Sequence, residues 1–203
     1  MAIRLIAALF TLISAQAYAQ EASESSITSQ YTDLSFDGPC APIATDPLGG
    51  VFQCAGYSGY GVLVAESDLR TSVFFGHVGT WYPEGAWESF QSFNSINGNV
   101  EWRLTDGVPF ATILRWSIDF GTGGEGDESD NGNVLVISKV GQPGVGEACI
   151  VGYVDARANE NANELAREIA DTLTMDFQCR VDEPEFHGEQ GFLTPVPVRS
   201  FGP

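Results

Sequence analysis

The sequence predicts a single α+β domain: an antiparallel β-sheet of meander type, one C-terminal helix packed on it, and two disulfides. Three observations lead there. The stretch CIVGYVD (149–155) is an apolar run of strand type, and NANELAREIADTLTMDF (161–177) follows it. In the second stretch Ala162, Leu165, Ala166, Ile169, Ala170, Leu173 and Phe177 recur three and four residues apart, one apolar stripe on a helix. The strand would cover roughly 20 Å and the helix roughly 25 Å, so a helix folded back over its strand returns Cys179 to Cys149. Next, Asn97-Gly98 and Asp106-Gly107 are two-residue hairpin signals set between strand-like runs. Finally, the four cysteines form an even set, and the local pairing is Cys40–Cys54 with Cys149–Cys179.

Taken in order, residues 1–19 read as a signal peptide. Arg4 supplies the charged start, Leu5 to Ile13 the apolar stretch, and Ala17-Tyr18-Ala19 the small-x-small cleavage site. The protein is therefore expected to be exported, periplasmic or secreted, and no Cys follows the cleavage site to carry a lipid. Residues 20–30 (QEASESSITSQ) read as a flexible leader, 31–180 as the α+β domain and 181–203, with four prolines, as an extended tail.

Inside the domain a first strand is expected from Tyr31 to Phe36, then a Pro/Gly loop, GPCAPIATDPLGG, stapled by Cys40 and Cys54. Strands follow at Val51 to Ala55, Gly61 to Glu66 and Thr71 to Gly76, with a turn at Ser67-Asp68. Pairing outward from Asn97-Gly98 sets Phe93 opposite Trp102 and Ser95 opposite Val100. Pairing outward from Asp106-Gly107 sets Trp102 opposite Ala111 and Val100 opposite Ile113. Both registers put Val100, Trp102 and Leu104 on one apolar face. The strand from Val108 to Phe120 carries Phe110, Leu114, Trp116, Ile118 and Phe120 on its other face, so it reads as central, with the helix covering one side. A Gly- and acid-rich loop (121–133), a strand from Val134 to Val140 and the strand at 149–155 lead to the helix, where Asn161 and Glu164 have N-cap and N3 chemistry.

The chain has 27 acidic residues against 9 Lys and Arg, a net charge of −18, and loses one further positive charge with Arg4. Such a balance repels nucleic acid and anionic lipid; it suits a basic partner or a divalent cation, or simply keeps the chain soluble. No stretch after the signal peptide is long and apolar enough to insert in a membrane. The paired short Cys spacings of a zinc site are missing, and His77 and His187 are the only histidines.

Three places hold candidate site residues. Asp127, Ser129, Asn131 and Gly132 match the first half of a calcium loop, with Asp119, Glu125, Glu128 and Asp130 as further oxygens. The twelfth position is Ser138 instead of Glu, so Ca2+ is a weak cofactor candidate beside a plain solvated loop. The run HVGTWYPEGAWESF brings His77, Trp81, Tyr82 and Trp87 near Glu84 and Glu88, a set that suits sugars or flat ligands and equally suits sheet packing. Asp155 and Arg157, with Asn159, stand where strand meets helix and serve an anion, a partner's backbone, or local capping.

No catalytic motif accompanies these residues. Ser58 in GYSGYG lacks the Gly two positions on that a nucleophile elbow needs, and His187 sits in the Pro-rich tail. The expected function is therefore that of an exported acidic protein acting by binding, with a basic protein as partner, without cofactor, and leaning away from an enzyme. The alternative is a cell-envelope glycan hydrolase using acids near the aromatic 77–90 stretch.

Overall fold

The computed structural model describes residues 26–34, 40–79, 85–121 and 131–201. Long β-branched and aromatic runs make strands of most of these residues, and the strands assort into a ten-stranded sheet and a two-stranded one. The larger sheet has two parts. Its main part runs β1 (Ile27–Asp33), β7 (Phe93–Thr105), β8 (Val108–Asp119), β9 (Gly132–Gly141), β10 (Cys149–Asp155) and β11 (Glu185–His187). A four-stranded antiparallel wing, β2 (Cys40–Asp46), β3 (Gly49–Cys54), β4 (Val62–Ser67) and β5 (Arg70–Gly76), joins β9 through Phe75 opposite Val140 and Gly76 opposite Gly141. The second sheet pairs β6 (Trp87–Phe90) with β12 (Pro197–Ser200).

The expected pure antiparallel meander is corrected on this point. β5 with β9 and β10 with β11 pair in parallel, so the sheet is mixed. Both disulfides, Cys40–Cys54 and Cys149–Cys179, are present as expected, and so is the helix, although α1 (Ala162–Leu173) ends four residues short of the expected 177 and leaves Leu173 exposed. Cys40 and Cys54 stand directly opposite each other on β2 and β3.

The core lies on both faces of β7–β10. On one face Val62, Val64 and Phe75 of the wing pack with Trp102, Leu114, Trp116 and Tyr153. The rings interlock edge to face, Phe75 on Trp102 with centroids 5.7 Å apart and Phe90 on Trp116 at 5.5 Å. On the other face α1 lays Ala162, Ala166 and Ala170 over Ile113, Leu135, Ile137, Val151 and Val154. Alanine at these three positions lets the helix lie close to the sheet, with Leu165 and Ile169 packed beside them. Burying each large apolar side chain here contributes roughly 1.5–3 kcal/mol.

β8 is central, between β7 and β9, with both faces covered. The registers, however, differ from expectation. Asn97-Gly98 forms no hairpin; β7 continues through it as a bulge, pairing Ile96 with Trp116 and Val100 with Leu114. The Asp106-Gly107 turn does connect β7 to β8, but a second bulge at Phe110 slips the ladder by one, so Trp102 faces Thr112 and not Ala111. The segment read as a Pro/Gly loop is the β2–β3 hairpin. Ile27 to Gln30, read as leader, pair with β7 in β1, and the Pro-rich segment supplies β11 and β12. The predicted signal peptide lies outside the described residues.

A network of charges ties α1 to the sheet edge. Arg103 on β7 binds Asp171 through two nitrogens, and Arg167 binds Glu101 at 2.7 and 3.1 Å. Ser29 of β1 donates to Glu101 at 2.6 Å. Burial pushes the Glu101 carboxyl up, but Arg167 and Ser29 outweigh it and hold the pKa below the ordinary glutamate value.

Candidate functional site

Of the aromatic candidates and their neighbouring acids, the structure describes His77, Trp87 and Glu88. His77 is exposed just after β5, its amide donates to Gly141 O at 2.8 Å, and its ring meets Tyr60 edge-on at 5.2 Å. Trp87 opens β6 half-buried, while Trp81, Tyr82 and Glu84 lie outside the described residues. Glu88 is only 1 % exposed. Its carboxylate accepts from Ile150 N at 2.7 Å, beside a bulge in β10, and from Arg199 Nε of β12 at 2.8 Å. Burial pushes its pKa up to about 7 against the opposing pull of the Ile150 amide and the Arg199 guanidinium. Arg199 also donates to Asp182 O at 2.7 Å and stacks on Phe201 at 4.4 Å. Glu88 is thus an internal anchor for the segment that holds Arg199.

Asp155 caps backbone amides at its own junction. One oxygen accepts from Arg157 N at 2.9 Å and Ala158 N at 3.2 Å, the other from Gly191 N at 3.0 Å and Thr194 Oγ1 at 2.9 Å. Burial alone would raise its pKa, but those donors overcome it and keep the carboxyl below the ordinary aspartate value. Asn159 adds bonds to Asp155 O and to Glu189, so this junction clamps residues 189–194. Arg157 points the other way, Nη1 donating to Asn131 O at 2.7 Å. Asn161, expected as a side-chain cap, makes no such bond.

Of the calcium candidates, Asp127 and Ser129 lie outside the described residues, as do Glu125, Glu128 and Asp130. Asn131 is described just before β9, and Asp119 accepts from Gly121 N at 2.7 Å. Among the described residues no cluster of three or more His, Cys, Asp or Glu is arranged to hold a metal.

What the structure does assemble is a groove of about 470 Å3 where the wing meets the ends of β7 and β8. Its apolar residues come from three separate loops or strand ends. Leu48, 68 % exposed, tips the β2–β3 hairpin, and Leu69, 69 % exposed, tips the β4–β5 hairpin. Asp68 and Leu69 take φ of 50° and 60°, the left-handed pair that a tight two-residue turn requires. Phe93 opens β7 with the Arg70 guanidinium 4.8 Å from its ring centre. Arg70 is itself spoken for, pairing with Asp68 at 2.9 Å and donating to Gln91 O at 2.9 Å. The buried Asn94 supports the floor, accepting from Thr71 N at 2.9 Å and donating to Ser89 Oγ at 3.2 Å. Glu66 and Asp119 complete the lining with carboxylates.

A second cleft of about 350 Å3 continues from the first, and Ser117 and Asn131 line both. Its other side chains include Arg115, Asn133 and Arg157. Burial acts on the Arg115 guanidinium and holds its pKa below the ordinary arginine value. Neither depression stands out in the sequence as a site, although Asp119, Asn131 and Arg157 are named for other reasons.

Comparison with known proteins finds no match of this chain to a family model, a curated protein or a solved structure.

Proposed function

We propose that this is an exported, non-enzymatic protein that works by binding, and that its partner is a basic protein engaged through the Leu48–Leu69–Phe93 groove. The observation that carries the reading is that groove: three large apolar side chains stand open to solvent, with Glu66 and Asp119 beside them, on a chain of net charge −18. Contiguous exposed apolar surface next to charge is the ordinary composition of a recognition site. The negative field around it attracts cationic partners and speeds their encounter. Two disulfides support an oxidising compartment, and among the described residues no helix is long and apolar enough to cross a membrane.

The glycan-hydrolase alternative draws no support from Glu88, because a carboxylate 1 % exposed and bonded to Arg199 has no access to a sugar.

The test is affinity capture from envelope extract with the oxidised protein as bait, followed by purified-partner binding to Leu69→Ala/Phe93→Ala and Glu66→Gln/Asp119→Asn. The reading expects one basic protein, retained at low salt, released at raised salt and bound at least tenfold more weakly by both double variants. A partner that binds all three proteins alike, or no partner at either salt, refutes it.

A further inference from the structure

Charge in this chain is heavily one-sided, and the arginines of the structure are mostly consumed by it. Arg70, Arg103, Arg167 and Arg199 each pair with a carboxylate. Arg115 does not. Among the described residues its only partners are two neutral amides: Nη1 donates to Asn133 Oδ1 and Nη2 to Asn163 Oδ1 at 3.2 Å. Those bonds fix the guanidinium plane and leave its other N–H groups for a ligand.

The topology explains why this charge stands in a cleft. Arg115 and Ser117 are alternate residues of β8 and share one face of the sheet. Ser117 lies opposite Asn133 of β9, and Asn163 reaches down from the first turn of α1. The helix therefore covers the sheet as far as Arg115 and ends there, so Ser117 and Asn133 lie past its N-terminal end. Arg157, from the β10–α1 connection, forms the opposite wall. No carboxylate is among the described residues that line this cleft, in a protein with three acids for each base.

We propose that the Arg115 cleft is an oxyanion site that takes a carboxylate or phosphate group, with Arg115 as the fork and Ser117 as a further donor. A planar guanidinium matches both groups through paired N–H bonds, and its partial burial strengthens them over the same contact in water. Ser117 lines both depressions, but Arg115, which carries the proposal, does not line the groove.

The experiment titrates the oxidised protein with inorganic phosphate, acetate and chloride at constant ionic strength and follows backbone amide and Arg Nε signals by NMR. Expected are saturable shifts confined to Arg115, Ser117, Asn133 and Asn163, reached with phosphate or acetate at least tenfold below chloride. A response to acetate assigns the site to carboxylates; a response to phosphate alone assigns it to phosphoryl groups. Arg115→Gln should lose at least tenfold in affinity. Ser117→Asp should lose as much while leaving both Arg115 amide bonds in place, which guards against a folding defect in the first variant. Shifts that never saturate, that chloride reproduces, or that both variants retain overturn the proposal.

Discussion

Glu88→Gln offers the sharpest test of the interior. The Glu88 carboxyl has an ordinary value of 4.5 and is pushed up to about 7 in the fold, chiefly by burial. A group whose folded pKa is raised holds its proton more tightly when folded, so between those two values the native state binds a proton that the unfolded chain has released. Its contribution is fully present below about pH 4.5 and drains away as pH rises to about 7. At 1.36 kcal/mol for each unit, the difference amounts to ~3 kcal/mol across the window. Glutamine cannot titrate. Urea unfolding of both proteins at intervals from pH 4.5 to 8 should therefore show the native protein losing ~3 kcal/mol relative to Glu88→Gln, all of it below about pH 7.5. The constant offset between the two reports the altered contact with Arg199 and is set aside. Parallel pH profiles would refute the reasoning, because they would mean that the carboxylate is solvated or fully compensated by Arg199 and the Ile150 amide.

Three further outcomes follow from the packing. Replacing Cys149 and Cys179 by Ala opens a loop of 30 residues and should cost about 3.5 kcal/mol in chemical unfolding under oxidising conditions. Ala166→Leu forces a larger side chain between α1 and β9, where Ala166 is 0 % exposed, and should lower stability by about 1–3 kcal/mol, read as a fall in Tm. Trp102 donates its indole N–H to Thr32 Oγ1 at 2.8 Å, whereas the buried Trp116 indole N–H has no partner among the described residues. Trp102→Phe should thus cost about 1 kcal/mol more than Trp116→Phe, and equal losses would contradict the difference in bonding.

How much of this was legible depends on the range of the signal. The α1 stripe and β8 were readable because each is a long periodic run whose buried faces repeat every few residues. Both disulfides were readable because each closes a unit local in sequence. β2 was not: it is an edge strand, exposed along most of its length and carrying Pro42, so it shows neither alternation nor a proline-free run. Asn97-Gly98 misled because a turn signal is weak beside twelve residues of β8, whose apolar pairs reward a β7 that keeps going. β6 and β12 are four residues each and meet across more than a hundred positions, so no local pattern announces them. The groove is hidden for the same reason. Leu48, Leu69 and Phe93 each look like an ordinary exposed apolar residue until the wing folds against the ends of β7 and β8.

The Glu88–Arg199 bond also sets a timetable for biogenesis. Its partners are 111 residues apart, and among the described residues β6 pairs with Pro197–Ser200. A nascent chain emerging from β1 onward could assemble the wing and the β7–β8 hairpin early, yet would carry a half-buried carboxylate and an unpaired β6 until residue 199 appeared. Bringing β6 to β12 therefore costs the closure entropy of a long loop, which local propensity does nothing to offset.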